Sequence, residues 1–185
     1  MSIQLGHGPL SNSFSERDVY TFNDACEWVR ALPYKRNSTK EDKFIVLKEA
    51  CGTCSSKHEL IKRLAEENKI DDCVLVLCMF KMSGYNTPKG KSVLDAYGLE
   101  YIPEAHTYIV LGGEVNDLTF SDEPELLYLE DILFTEEISA DQIRGYKVKS
   151  HKAYLKKWGE IKESPYTFEE LWGIREECIG ALSLG

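Results

Sequence analysis

Apolar side chains recur at helical spacing in five stretches of the chain. The clearest runs from Cys54 to Asn68, where one face is apolar and the other is charged: Leu60, Ile61, Leu64 and Ala65 against Glu59, Lys62, Arg63, Glu66 and Glu67. The same spacing predicts helices over Thr21–Leu32, Glu41–Ala50, Lys147–Trp158 and Phe168–Leu182. Thr167 and Glu170 form a capping box before the last of these.

A different pattern governs the middle of the chain. Cys73–Phe80 is short, apolar at both odd and even positions and partly β-branched, which is typical of a central strand. His106–Leu111 and Glu114–Phe120 flank Gly112-Gly113, which predicts two strands around a tight turn. Helices and strands therefore occur in separate runs, and this order predicts an α+β fold with an antiparallel sheet.

Length and composition fit one globular domain over residues 1–185. Apolar residues make up 43% of the chain and charged residues 29%. Net charge is -9, which repels phosphate and anionic lipid and makes nucleic acid a poor partner. The longest apolar run is too short to cross a bilayer, and Met1–Phe14 lacks the features of a secretory signal, so we expect a cytoplasmic protein without a membrane partner.

Three residues carry the candidate chemistry. Cys54 follows a glycine-containing loop and opens the strongest predicted helix, where free N–H groups stabilise a thiolate. His106 begins one strand of the hairpin, and Asp117 lies eleven residues later in the next strand. Neighbouring strands lie about 5 Å apart, which suits a carboxylate bonded to an imidazole. A nucleophile, a base and an orienting acid are the parts of a cysteine acyl-transfer site.

The order of these motifs resembles the transglutaminase-like cysteine enzymes, relatives of the papain fold. It is carried by Gly52-Thr53-Cys54, His106-Thr107-Tyr108 and Asp117-Leu118-Thr119. The resemblance covers residues 44–120 and leaves 121–185 as a C-terminal helical extension. It implies Cys54 as nucleophile, His106 as general base and Asp117 as the residue that orients the imidazole. It also implies a peptide, amide or small acyl substrate and no cofactor.

Several alternatives stay open. The fold could be kept as a binding or scaffold domain without turnover. Cys51 and Cys54 form a C-x-x-C, which would suit thiol redox chemistry. His58 lies one turn after Cys54 and could join both cysteines around zinc, although we expect it to pack behind the nucleophile with its ring turned toward the helix start.

The remaining residues are expected to serve packing or the surface. Lys57 could favour a thiolate electrostatically but is assigned no catalytic role. Arg36 could bind a carboxylate or phosphate, or simply face solvent. The other four cysteines, Cys26, Cys73, Cys78 and Cys178, lie in apolar stretches and are predicted to be core residues.

Overall fold

The computed structural model describes residues 3–39, 41–121 and 126–182. Within these ranges the chain forms an α+β fold, as the sequence predicts, with seven α-helices and a four-stranded antiparallel sheet of order β3-β2-β1-β4. The helices are α1 Pro9–Ser15, α2 Phe22–Arg30, α3 Ile45–Glu49, α4 Cys54–Glu67, α5 Lys91–Ala96, α6 Tyr146–Ile161 and α7 Phe168–Leu182. The strands are β1 Cys73–Ser83, β2 Tyr101–Leu111, β3 Glu114–Asn116 and β4 Ile132–Glu137.

The chain divides into two compact units. The first comprises Met1–Val76, Thr107–Glu123 and Glu137–Ile143, and the second comprises Leu77–His106, Pro124–Glu136 and Arg144–Gly185. Strands β1 and β2 each begin in one unit and end in the other.

Helix α4 organises the first unit, because α1, α2 and α3 all pack against it. Its predicted apolar stripe is confirmed: Leu60, Ile61, Leu64 and Ala65 are buried. The C-terminal end of α4 binds the segment near the chain's N-terminus, because the Glu67 carboxylate accepts hydrogen bonds from the backbone N–H groups of Leu10 and Ser11. The C-terminal end of α4 is therefore tied to the segment that contains α1.

Helix α7 has the same role in the second unit, where it packs against α5, α6 and a 3-10 helix at Pro88–Gly90. Its predicted capping box is confirmed, because the Thr167 N–H donates to the Glu170 carboxylate and the Glu170 N–H donates to the Thr167 hydroxyl. Gly159 allows α6 to approach closely, since a Cβ there would lie 2.8 Å from Leu171 Cδ1.

One helix prediction needs adjustment. The predicted helix over residues 41–50 is shorter and begins only at Ile45, because the Asp42 carboxylate accepts the Phe44 N–H in a preceding turn. It ends where Ala50 adopts a left-handed conformation. Helices α1 and α5 and strand β4 were not predicted, and residues 122–125 of the intervening acidic segment lie outside the described residues.

The predicted hairpin is present with different strand ends. Register pairs Ile109 with Asn116 and Leu111 with Glu114. His106 therefore lies in the middle of β2 rather than at its start, and Asp117 follows β3 rather than lying in it. The ladder stops there because the next N–H groups donate to side chains: that of Leu118 to His58 Nε2 and that of Thr119 to Asp117 Oδ1.

Across the described residues, no helix combines the length and apolar character needed to cross a membrane.

Candidate functional site

Cys54 is the first residue of α4, as predicted. Thr53 precedes it in an extended conformation, and the Thr53 N–H donates to Ser56 Oγ at 3.0 Å, which satisfies one donor of the helix start. The Cys54 residue is 9% exposed. The first turn thus begins at the candidate nucleophile, with the backbone dipole directed toward it.

The loop before Cys54 is tied to the chain that follows α2. Gly52 and Tyr34 form a parallel bridge in which the Gly52 N–H donates to Pro33 O and the Lys35 N–H donates to Gly52 O, each at 3.1 Å. A Cβ on Gly52 would lie 2.8 Å from Ser56 Oγ. A larger residue at position 52 would therefore force the Ser56 side chain or the loop to move.

Asp117 is the second candidate residue in the first unit. Its side chain is 3% exposed, and Oδ1 accepts hydrogen bonds from the N–H and the hydroxyl of Thr119 at 2.9 and 2.5 Å. Arg30 holds the backbone, with Nε donating to Asp117 O at 3.3 Å and Nη2 to Asn116 Oδ1 at 2.5 Å. The carboxylate is thus buried and its orientation is fixed by its neighbours.

His58 connects α4 to this segment. Its Nδ1 lies 2.7 Å from Cys54 O, and its Nε2 accepts the Leu118 N–H at 2.8 Å. A carbonyl can only accept, so the proton is on Nδ1 and the ring is neutral. Nε2 also lies 3.5 Å from Asp117 Oδ1, but in this tautomer both atoms are acceptors. The prediction that the ring turns back toward the helix start is confirmed.

Cys51 occupies a different environment from Cys54. Asn37 Nδ2 donates to Cys51 O at 2.9 Å and lies 3.7 Å from Cys51 Sγ. Burial and the nearby Glu49 carboxylate raise the pKa of the Cys51 thiol, against the opposite effect of Lys35 and Lys57. Cys51 is therefore held mostly as the thiol at neutral pH.

His106, the third candidate residue, belongs to the second unit. It lies in β2, and its ring contacts two aromatic side chains of the same unit: Tyr128 at 4.8 Å and Phe80 at 6.2 Å between centroids, both edge to face. The triad of Cys54, His106 and Asp117 stays a prediction, with Cys54 and Asp117 in the first unit and His106 in the second.

The other sequence candidates have simpler outcomes. The four predicted core cysteines are buried, and none of the six cysteines, all of which lie within the described ranges, forms a disulfide. Arg36 is exposed. Within the ranges that the structure describes, no group of three or more His, Cys, Asp or Glu side chains is arranged to hold a metal ion.

Sequence reasoning missed a buried charged cluster in the second unit. Arg175 pairs with Glu104 through two hydrogen bonds of 2.6 and 2.5 Å, and His151 Nε2 donates to Pro103 O at 2.9 Å. Burial opposes the charge on Glu104, but Arg175 prevails and leaves the pKa of the carboxyl below its usual range. In the sequence Glu104 lies just before the predicted strand that starts at His106, and nothing there indicates that Arg175 is its partner.

No protein-family model matches this chain, and no curated protein or solved structure matches it.

Proposed function

We propose that this protein is a cysteine acyl-transfer enzyme of the transglutaminase-like type, acting on a peptide, an amide or a small acyl compound. The observation that carries the proposal is the position of Cys54 at the first residue of α4, with the buried Asp117 segment bound to the same helix through His58. A helix start favours a thiolate, and a buried, oriented carboxylate is the group that an imidazole base requires.

The proposed reaction uses Cys54 as nucleophile. The thiolate attacks the substrate carbonyl carbon, a carbon–sulfur bond forms, and the carbonyl electrons move onto oxygen. His106 first accepts the proton of the Cys54 thiol, and when the intermediate collapses and the bond to the leaving amine or alcohol breaks, it gives that proton to the leaving group. The Cys54 N–H at the helix start is proposed as one donor to the oxyanion.

The second half of the reaction releases the acyl group. Water or an amine attacks the thioester carbon, His106 accepts a proton from that nucleophile, and the carbon–sulfur bond breaks to restore the thiolate. Asp117 is proposed to hold the His106 tautomer that makes both transfers possible. With water the product is an acid, and with an amine it is a new amide.

The difference between the two cysteines of the C-x-x-C supports this assignment. Cys54 opens the helix, whereas the Cys51 thiol has a raised pKa because of burial and Glu49. A thiol that stays protonated is a poor nucleophile. We therefore expect acylation at Cys54 and not at Cys51.

The test uses p-nitrophenyl acetate as a general acyl donor. We expect a burst of p-nitrophenol and an acetyl adduct on Cys54, detected by mass spectrometry of the acid-quenched protein. Cys54→Ser should abolish both signals, and Cys51→Ser, the matched control three residues earlier, should keep them. His106→Gln should slow both formation and loss of the adduct by about 100-fold or more.

Two results would contradict the proposal. Acetylation that persists in Cys54→Ser would place the reactive group elsewhere. A Cys54 that forms no adduct and reacts with iodoacetamide no faster than the other cysteines would favour the binding or scaffold alternative.

A further inference from the structure

Lys57 is a fully buried lysine one turn after Cys54. Its side chain is 0% exposed, although lysine is among the residues least often buried without a partner. Cys54 and Lys57 are three residues apart on α4, a spacing that places side chains on the same face of a helix. A charge that is removed from water at this position requires an explanation.

Three carbonyl oxygens surround the Lys57 nitrogen. Nζ donates to Leu32 O at 2.6 Å, to Thr119 O at 2.8 Å and to Arg30 O at 3.3 Å. An ammonium has three N–H donors and no acceptor, whereas a neutral amine has two donors and a lone pair that would face an oxygen. The surroundings therefore fit the charged form, but carbonyl groups do not neutralise its charge.

The anions that act on Lys57 come from the candidate site. Burial lowers the pKa of Lys57 to about 8, and Asp117, Cys51 and Cys54 oppose this effect when they are ionised. An electrostatic coupling is reciprocal, so an anion that stabilises the ammonium is stabilised by it to the same extent. Asp117 accepts a hydrogen bond from Thr119, and the Thr119 carbonyl accepts one from Lys57. Asp117 and Lys57 therefore belong to one hydrogen-bond network.

We propose that the Lys57 ammonium is the fixed counter-ion of the Cys54 thiolate, and so a positioning residue for the reaction proposed above. This inference rests on the proposed function, because the counter-ion serves that reaction. Its experimental test does not require the reaction to take place. The positive charge of Lys57 also lowers the pKa of the Cys51 thiol, but the Glu49 carboxylate raises it. Burial and Glu49 keep the pKa of Cys51 raised in spite of Lys57, so the counter-ion role is proposed for the cysteine at the helix start.

Lys57 also joins α4 to the chain around Arg30 and to Thr119, so its loss would weaken the fold in any case. A purely structural lysine would lower stability without changing the pH dependence of thiol reactivity. The discriminating measurement is therefore the pH profile of Cys54 alkylation, which needs no turnover and no knowledge of the substrate.

The first experiment measures the iodoacetamide reaction of Cys54 against pH in the full chain. For Lys57→Met we expect the profile to move to higher pH by about one unit, so that alkylation near pH 7 is about tenfold slower. Lys57→Arg, which keeps the charge, should retain the original profile. Unchanged alkylation in a folded Lys57→Met variant would overturn the proposal.

A second experiment keeps Lys57 in place in case Lys57→Met does not fold. The Lys57 Nζ signal is followed by nitrogen NMR through a pH titration of the wild-type protein, Cys54→Ser and the control Cys73→Ser. Loss of the thiolate should move the Lys57 midpoint to lower pH by at least several tenths of a unit, and Cys73→Ser should leave it in place. Identical midpoints in all three proteins would overturn the inference.

The two proposals fail separately. If Cys54 is not acylated by the ester but both Lys57 experiments give the expected shifts, the acyl-transfer proposal is wrong and the counter-ion role of Lys57 is supported. If acylation proceeds at Cys54 and neither shift is seen, the counter-ion is wrong and the enzyme assignment stands.

Discussion

The His58 imidazole accepts the backbone N–H of Leu118 at 2.8 Å, while its other nitrogen donates to Cys54 O at 2.7 Å. One ring thereby joins the residue that opens α4 to the residue that follows Asp117. His58 and Leu118 are both buried, so neither bond can be replaced easily by water. The relative position of Cys54 and Asp117 depends on this neutral side chain.

We expect His58→Phe to destabilise the protein. The ring would keep its volume but leave the buried Leu118 N–H without its acceptor, which costs about 1–3 kcal/mol. Urea unfolding followed by circular dichroism measures the loss. His7→Phe is the control, because His7 is exposed and its replacement should change stability by less than about 0.5 kcal/mol. Equal effects of the two substitutions would contradict the role assigned to His58.

Gly52→Ala should disturb the nucleophile loop. The new Cβ would lie 2.8 Å from Ser56 Oγ and 3.0 Å from Lys57 Cγ, so these side chains or the loop must shift, at a cost of about 1–3 kcal/mol. We also expect slower iodoacetamide labelling of Cys54. Gly173→Ala in α7 is the matched control, since a Cβ there meets nothing within 4 Å and should stabilise the helix by up to about 1 kcal/mol. A Gly52→Ala protein as stable and as reactive as the wild type would contradict this.

The pair of Glu104 and Arg175 should be essential to the second unit. Arg175→Met leaves a buried carboxylate without its partner, which we expect to cost about 3–5 kcal/mol in the free energy of unfolding. The double variant with Glu104→Gln should recover part of that loss, because the unpaired charge is gone. Lys91→Met, which removes an exposed pair with Asp95, should cost less than about 0.5 kcal/mol. No recovery in the double variant would argue against an electrostatic cause.

His151 should make the protein sensitive to mild acid. Burial lowers its pKa in the folded protein, and the positive charges of Arg175 and Lys147 act in the same direction, against Glu104 and the bond to Pro103 O. The unfolded chain therefore takes up a proton near pH 6.5, where the folded chain does not, and stability falls as pH drops below about 6.5 until the lowered folded pKa is reached.

The His151→Gln variant tests this linkage. Glutamine can still donate to Pro103 O but does not titrate, so the fall in the free energy of unfolding between about pH 7 and pH 5 should be smaller than in the wild type. Urea unfolding at a series of pH values gives the comparison, and His7→Gln serves as the exposed control. Parallel pH profiles for wild type and His151→Gln would show that another group titrates.

Local patterns were enough for the elements whose signals lie within a few residues. The apolar stripe of α4 and the capping box at Thr167 and Glu170 both occur as predicted. Helices α1 and α5 have seven and six residues, too few for a periodic pattern to emerge. Strand β4 combines apolar residues with a threonine and two glutamates and carries no clear alternation.

The sequence by itself determined the α+β class, the position of Cys54 at a helix start and the Gly112-Gly113 turn, because each depends on neighbours along the chain. Only the tertiary structure revealed that Lys57 and His58 bind the chain at Thr119 and Leu118, some sixty residues away. The same holds for Arg175 and Glu104. Such pairings depend on which backbone groups and charges meet in the folded interior. Hydrophobic periodicity along the sequence does not predict these long-range contacts.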